Sequence, residues 1–412
     1  MPLSFLAELM PVSQGVDPMK TDKPLPKRRS TPTKIDAKYA RKFVEQVFGD
    51  NMHAARVLSL ANGVVGVLHA AVLAIHAIGQ AYAKVANIQP KSGVKQVDRL
   101  LSNDGIVLTH IQRSWVAFVV GVRKEIVIAL DWTDFEKDDH TTLAAYLVTR
   151  HGRATPLVWQ TVKKSTLEGR RNAYEYELIE RLHSYLDEEV AITLLADRGF
   201  GDQKLYDYLS LLGWDFVIRF RGCVLVENAT GETNPAKDWI PANGRATMLR
   251  DVRITAKRTR VPAVVVVHAP GMKEAWCLAT TLAMEKPSVI VKLYGKRFTI
   301  EETFRDKKDL HFGMGLSATH IRDPQRRDRL LLLAAIAHAL LTLLGAASEE
   351  AGLDRYLKAN TVKHRTHSLY RQGLYWYDCI PTMREDWLVP LMTAFDRIVR
   401  EHAVFREIFG VI

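Results

Sequence analysis

Two aspartates stand where a short apolar run ends: Asp131 closes EIVIALD and Asp197 closes VAITLLAD. A carboxylate at the carboxyl end of a buried strand is where open α/β sheets bind ligands, because the strand holds it rigid while the next loop supplies polar partners. Two such groups on adjacent strands suit a divalent cation. Taken singly, each also suits a cap for the turn that follows, as does Asp202 in RGFGD. A third set lies in YGKRFTIEETFRDKK, where Tyr294, Arg297, Glu301 and Lys308 are separated by three, four and seven positions. On one continuous helix these offsets put a phenol, two cations and a carboxylate on a single face. Such a face fits phosphates beside a metal; by spacing alone it is equally a solvated face laced with pairs such as Arg297–Glu301.

The elements that must position these residues follow from hydrophobic periodicity. Residues 1–35, rich in Pro, Lys, Ser and Thr, cannot bury a core and are expected to be a basic lead-in, with Lys27-Arg28-Arg29 either solvated or touching phosphates. From 36 to 123 apolar residues recur at helical spacing, and GVLHAAVLAIHAIGQAYAKVA predicts one long helix. At Glu125 the pattern changes to strand, strand, strand, helix, strand, helix, strand, a mixed α/β order. Residues 221–275 are β-rich and punctuated by Gly, Pro and Asn, WCLAT from Trp276 is a further strand, and VIVKLYGKRFTIEETFRDKKD predicts a single amphipathic helix. The remainder is helical, with an apolar helix over 330–344 that starts near Arg326 and Arg329, two cations expected on its solvated surface.

The chain has 412 residues, 47% hydrophobic and 25% charged, the balance of a folded protein with a sizeable core. Lys and Arg number 57 against 46 Asp and Glu, a net charge of +11, and this excess makes nucleic acid the first candidate partner. Three distant cysteines exclude a disulfide-built scaffold and a cysteine-rich zinc site, and fit a reducing cytoplasm. The N-terminal stretch lacks the basic and apolar regions of a signal peptide. Apolar runs at 64–81 and 330–347 reach only the lower edge of membrane-spanning length and carry histidines, so buried core helices are expected and no membrane. Asp138-Asp139-His140 lacks metal-ligand spacing, Gly313-x-Gly315 reads as a turn, and there is no GxSxG elbow.

The segments LDWT at Asp131, GRATPLVW at 152–159, LADRGFGD around Asp197 and YGKRFTIEETFRDKKD occur in an order that resembles the DDE transposases of bacterial insertion sequences, in the branch marked by a Tyr–Arg–Glu–Lys signature. The resemblance covers roughly residues 95–345. It implies a ribonuclease-H-like, mixed-sheet α/β catalytic domain over 124–345 with a β-rich insertion at 221–275. A helical DNA-binding domain over 36–123 and a helical, dimerising C-terminal region over 346–412 would flank it. Asp131, Asp197 and Glu301, chosen over Glu302 by the signature spacing, would be the acidic triad. Three carboxylates can hold two Mg²⁺ ions, with Mn²⁺ able to substitute, for phosphodiester hydrolysis and strand transfer. Tyr294, Arg297 and Lys308 would contact phosphates near the transposon end. Arg198 would contact DNA or anchor its loop. Trp276 would either stack a base turned out of the duplex in a hairpin route or pack the insertion onto the core. The implied partners are double-stranded DNA, as terminal inverted repeats and target, and a second copy of the chain on that DNA, in the cytoplasm. Two alternatives stay open: a metal-dependent nuclease without strand transfer, and a non-catalytic DNA-binding regulator. Inverted repeats flanking the gene, bounded by a short target duplication, favour the mobile element.

Overall fold

The computed structural model describes residues 35–309 and 313–400; the basic lead-in, apart from Ile35, and residues 401–412 lie outside the described residues. Helix α1 (Ala37–Phe48) opens on Asp36, whose carboxylate accepts the Tyr39 amide and satisfies a free N–H of the first turn. Four more helices follow: α2 (Ala54–Ala70), α3 (Ile75–Ala86), α4 (Pro90–Leu101) and α5 (Leu108–Val120). The long helix expected across α2 and α3 is broken. Ala71 takes a left-handed backbone with φ of 52°, and the two helices diverge by 99°. Bonds from a distant segment hold the break open: the Leu73 amide donates to the Met314 carbonyl (2.7 Å) and the Thr319 hydroxyl to the Leu73 carbonyl (3.0 Å).

Strands β1 (Glu125–Phe135), β2 (His140–Leu147) and β3 (Thr155–Lys163) form an antiparallel meander. Helix α6 (Arg171–His183) leads to β4 (Ala191–Ala196), and α7 (Gln203–Leu211) leads to β5 (Asp215–Phe220); β4 and β5 run parallel to β1. The resulting order, 3-2-1-4-5, is a ribonuclease-H-like α/β core. The β-rich stretch supplies β6 (Leu225–Glu227), β7 (Thr233–Pro235), β8 (Thr247–Ile254) and β9 (Thr259–Val267), with one short helical turn at Ala236–Trp239. It prolongs the same sheet, because β10 (Trp276–Thr280) returns antiparallel to β5 and carries β9 and β8 with it, giving a sheet of ten strands among the described residues.

The β3 edge of the sheet is closed by side chains. The Trp115 indole donates to the Pro156 carbonyl (2.7 Å), the Gln112 amide donates to the Trp159 carbonyl (2.9 Å), and the Thr161 amide donates to Asp328 (3.0 Å). After α8 (Pro287–Gly295) and α9 (Phe298–Lys308) comes α10 (Pro324–Glu350), then α11 (Leu369–Cys379) and α12 (Glu385–Arg400). Helix α10 is the one helix among the described residues long and apolar enough to cross a membrane, and 94% of its apolar window is buried inside the protein. The hydrophobic core runs without a gap from Ile35 to Val399. Arg326 and Arg329 are not solvated as expected: Arg326 binds Asp98 (2.7 Å) and Arg329 the Leu101 carbonyl (2.9 Å), so both pin α10 to the end of α4.

Candidate active site

The sheet register brings the two aspartates together. The last parallel pair between β1 and β4 is Leu130 with Ala196, so Asp131 and Asp197 are the next residues on neighbouring strands. Asp131 does not end its strand, as the sequence suggests; β1 continues to Phe135 by pairing with β2 after β4 has stopped. Each carboxylate anchors its own backbone. Asp131 accepts the Trp132 amide (2.9 Å), and Asp197 accepts the Gly199 amide (2.8 Å) as the cap of a short turn. Behind them Glu175 accepts the Trp132 indole N–H (2.8 Å) and the Arg171 guanidinium (3.1 Å). Sequence reading misses this brace, because Arg171 and Glu175 look like any exposed pair one turn apart.

The helix expected to carry all four residues of the third set is two helices. Across residues 293–300 backbone bonds tighten to the next-but-two residue, from Lys296 to Leu293, Arg297 to Tyr294 and Ile300 to Arg297, so the axis breaks after Gly295. Tyr294 therefore lies in the last turn of α8, Arg297 caps α9, and only Glu301 and Lys308 share one helix. The break turns Arg297 into the sheet, where it is 5% exposed. Its guanidinium binds Asp131 (3.2 Å) and Glu301 (2.6 Å) at once, joining α9 to β1. Tyr294 is 1% exposed and packs edge-on against Trp276, ring centres 5.0 Å apart, so the tyrosine expected on a DNA-facing surface lies beneath it.

Trp276 is half-buried between Tyr294 and Phe298. Arg198 is exposed and shares Glu274 with Arg219, at 3.3 and 2.7 Å. Lys308 donates to the Thr133 hydroxyl (3.1 Å) and the Asp134 carbonyl (2.7 Å), so its ammonium stands beside β1 two residues beyond Asp131. Burial pulls the Lys308 ammonium below its ordinary pKa, against the charge of Asp134. An open groove of about 410 Å³ is lined by Asp131, Thr133, Glu301, Arg305, Lys308 and Ser317. Asp138 and His140 are structural: both bind Arg327, whose guanidinium lies 4.0 Å from the Phe135 ring centre.

Burial pushes the Asp131 carboxyl up to about 6; Arg297 pulls it down, and the charges of Asp197 and Glu301 push it further up. Three hard oxygen donors in one mutually repelling field are the chemistry a divalent cation relieves. The donor types therefore fit such an ion. Among the described residues no three acidic, histidine or cysteine side chains form a ready ligand group, and Arg297 provides the positive charge between Asp131 and Glu301.

Fold and site together define an α/β nuclease-like protein with two acids just past the point where the parallel pairing of neighbouring strands ends. The family model of the transposase DDE domain matches residues 123–340, more than half of the chain, and the protein belongs to that family. It is thus an enzyme of DNA transposition, an insertion-sequence DDE transposase whose partner is DNA. Enzymes of this kind generally use divalent metal ions. No curated protein matches the chain closely enough to add to this finding.

Proposed function

We propose that the protein excises the insertion sequence encoding it and inserts that element elsewhere, by metal-dependent hydrolysis of a phosphodiester at each end followed by strand transfer. The observation that carries this reading is the register that sets Asp131 beside Asp197, with Arg297 drawing Glu301 to the same point. Asp131, Asp197 and Glu301 would hold two Mg²⁺ ions, for which Mn²⁺ would substitute. Divalent ions held there would supply the positive charge that activates an attacking oxygen and stabilises a leaving one. The chain's own part is positioning: strands fix the two aspartates, and α9 brings Glu301 across the groove.

Lys308 and Arg198 bind phosphates from opposite sides of the acids, and Arg297 exchanges a carboxylate for a phosphate when DNA enters. Trp276 offers its open ring as the platform for an unstacked base in a hairpin route, and Tyr294 supports that ring from below. The helical region 36–123 recognises the terminal inverted repeats. The region 346–412 dimerises on DNA, so that each protomer cuts the end held by its partner. The enzyme acts in the bacterial cytoplasm, at the nucleoid.

The test is cleavage of a DNA fragment carrying the element's ends with Mg²⁺ or Mn²⁺, comparing wild type with Asp197→Ala and Glu301→Ala. Metal-dependent cuts at the ends that vanish in both variants, with DNA binding kept, are expected. Cuts without transfer to a second DNA would leave the nuclease, and binding without cutting in all three proteins would leave the regulator.

A further inference from the structure

Helix α9 carries Glu301 on its groove side, and its opposite side is fastened to two distant parts of the chain. Thr303 is fully buried, and its hydroxyl oxygen accepts the Ala154 amide (3.0 Å). Asp306 is 2% exposed and holds a guanidinium on each oxygen: Arg153 Nε at 2.5 Å and Arg371 Nη2 at 2.8 Å. Arg153 belongs to the β2–β3 loop, whereas Arg371 belongs to α11. That second helix cannot yield easily. It lies backbone to backbone on α10, where a Cβ on Gly373 would stand 1.7 Å from the Leu341 carbonyl oxygen and one on Gly345 would stand 1.9 Å from that of Leu369.

An α-helix turns about 100° per residue, so Asp306, five positions after Glu301, points about 140° away from it and about 7.5 Å further along the axis. A grip on Asp306 does not touch the groove, yet it fixes both the rotation and the depth of the helix that presents Glu301. The Glu301 side chain is itself half exposed and paired with Arg297, so its place depends on how the helix beneath it is anchored. A charged side chain placed between two cations is also costly to leave unpaired, which keeps the arrangement in one geometry.

We propose that Asp306, gripped by Arg153 and Arg371, is a positioning residue for the reaction, setting the angle of α9 and so the place of the Glu301 carboxylate opposite Asp131. The C-terminal region thereby takes part in building the site through Arg371. This rests on the reading of Glu301 as one of the three acids.

The experiment uses the full chain with Asp306→Asn, Arg371→Gln and Arg371→Lys, and the cleavage assay on end-bearing DNA across a Mg²⁺ series. Arg371→Gln leaves the Arg153–Asp306 pair in place, so it tests the idea even if Asp306→Asn fails to fold. Expected for Arg371→Gln is a fall in kcat of about tenfold or more, a higher Mg²⁺ concentration for half-maximal rate, unchanged affinity for end DNA in metal-free buffer, and recovery of rate in Arg371→Lys. A lowered Tm with wild-type kcat and Mg²⁺ dependence in folded variants would overturn the proposal, leaving a merely structural pair. Wild-type cutting by Glu301→Gln, run beside them, would sink the underlying reading of the acids instead.

Discussion

At the scale of single residues, Arg297 decides the state of the site. Its side chain is 6% exposed and neutralises an aspartate and a glutamate that otherwise repel each other. Arg297→Gln should lower the Tm in metal-free buffer, and Mn²⁺ should then raise the Tm of the variant more than that of wild type, since a divalent cation takes over the lost charge. Equal Mn²⁺ shifts in the two proteins would count against this. Asp328 makes a separate prediction about pH. Burial pushes its carboxyl up to about 7, with the Thr161 bonds opposing. Its folded pKa lies above the unfolded one, so the folded state binds the extra proton between about pH 4 and 7. Stability from this group is therefore present below pH 4 and lost as pH rises through 7, with a ceiling of about 4 kcal/mol. Asp328→Asn, which still accepts the Thr161 amide, should flatten that part of the curve in chemical unfolding.

At the scale of elements, glycine substitutions should have opposite signs at two helices. A Cβ on Gly295, at the end of α8, meets nothing within 4 Å. Gly295→Ala should stabilise the protein by about 0.5–1 kcal/mol. Gly373→Ala forces α10 and α11 apart at a 1.7 Å approach and should destabilise strongly in the same urea titration. These elements also show which parts of the structure are legible in the chain. Asp131 and Asp197 stand out because each follows an apolar run, and strand periodicity then places them on one sheet. The break between α8 and α9 is hidden, because Tyr294, Arg297 and Glu301 keep a helical spacing on either side of it. Only the shift in backbone bonding across Lys296 turns Arg297 inward. The grip on Asp306 is hidden for another reason: residues 153, 306 and 371 are remote in sequence, and nothing local in FRDKK distinguishes a buried aspartate from a solvated one. The bend between α2 and α3 is likewise made by residues 314 and 319, far from the helix pattern they interrupt.

At the scale of the whole molecule, the +11 charge should make end binding strongly dependent on salt. The logarithm of the affinity falls by about 0.9 per released counterion for each decade of salt. Lys308→Ala should reduce that slope by about one while leaving sequence preference unchanged, measured by anisotropy over a salt series. Sedimentation with and without end DNA tests the proposed dimer, which should form only on DNA.

The side chains along β3 have a consequence for the life of the chain before and after folding. An uncovered edge strand is a template on which other chains can lay down strands and aggregate. Here the end strand at the opposite margin, β7, is only three residues long, so β3 is the longer of the two end strands, and Trp115, Gln112 and Asp328 cover it. Helix α5 precedes β3 in sequence and α10 follows it, so a nascent chain can set Trp115 and Gln112 against β3 but lacks Asp328 until its C-terminal third has been made. Recovery of this enzyme should depend on finishing α10, and truncations that remove it should collect as insoluble material.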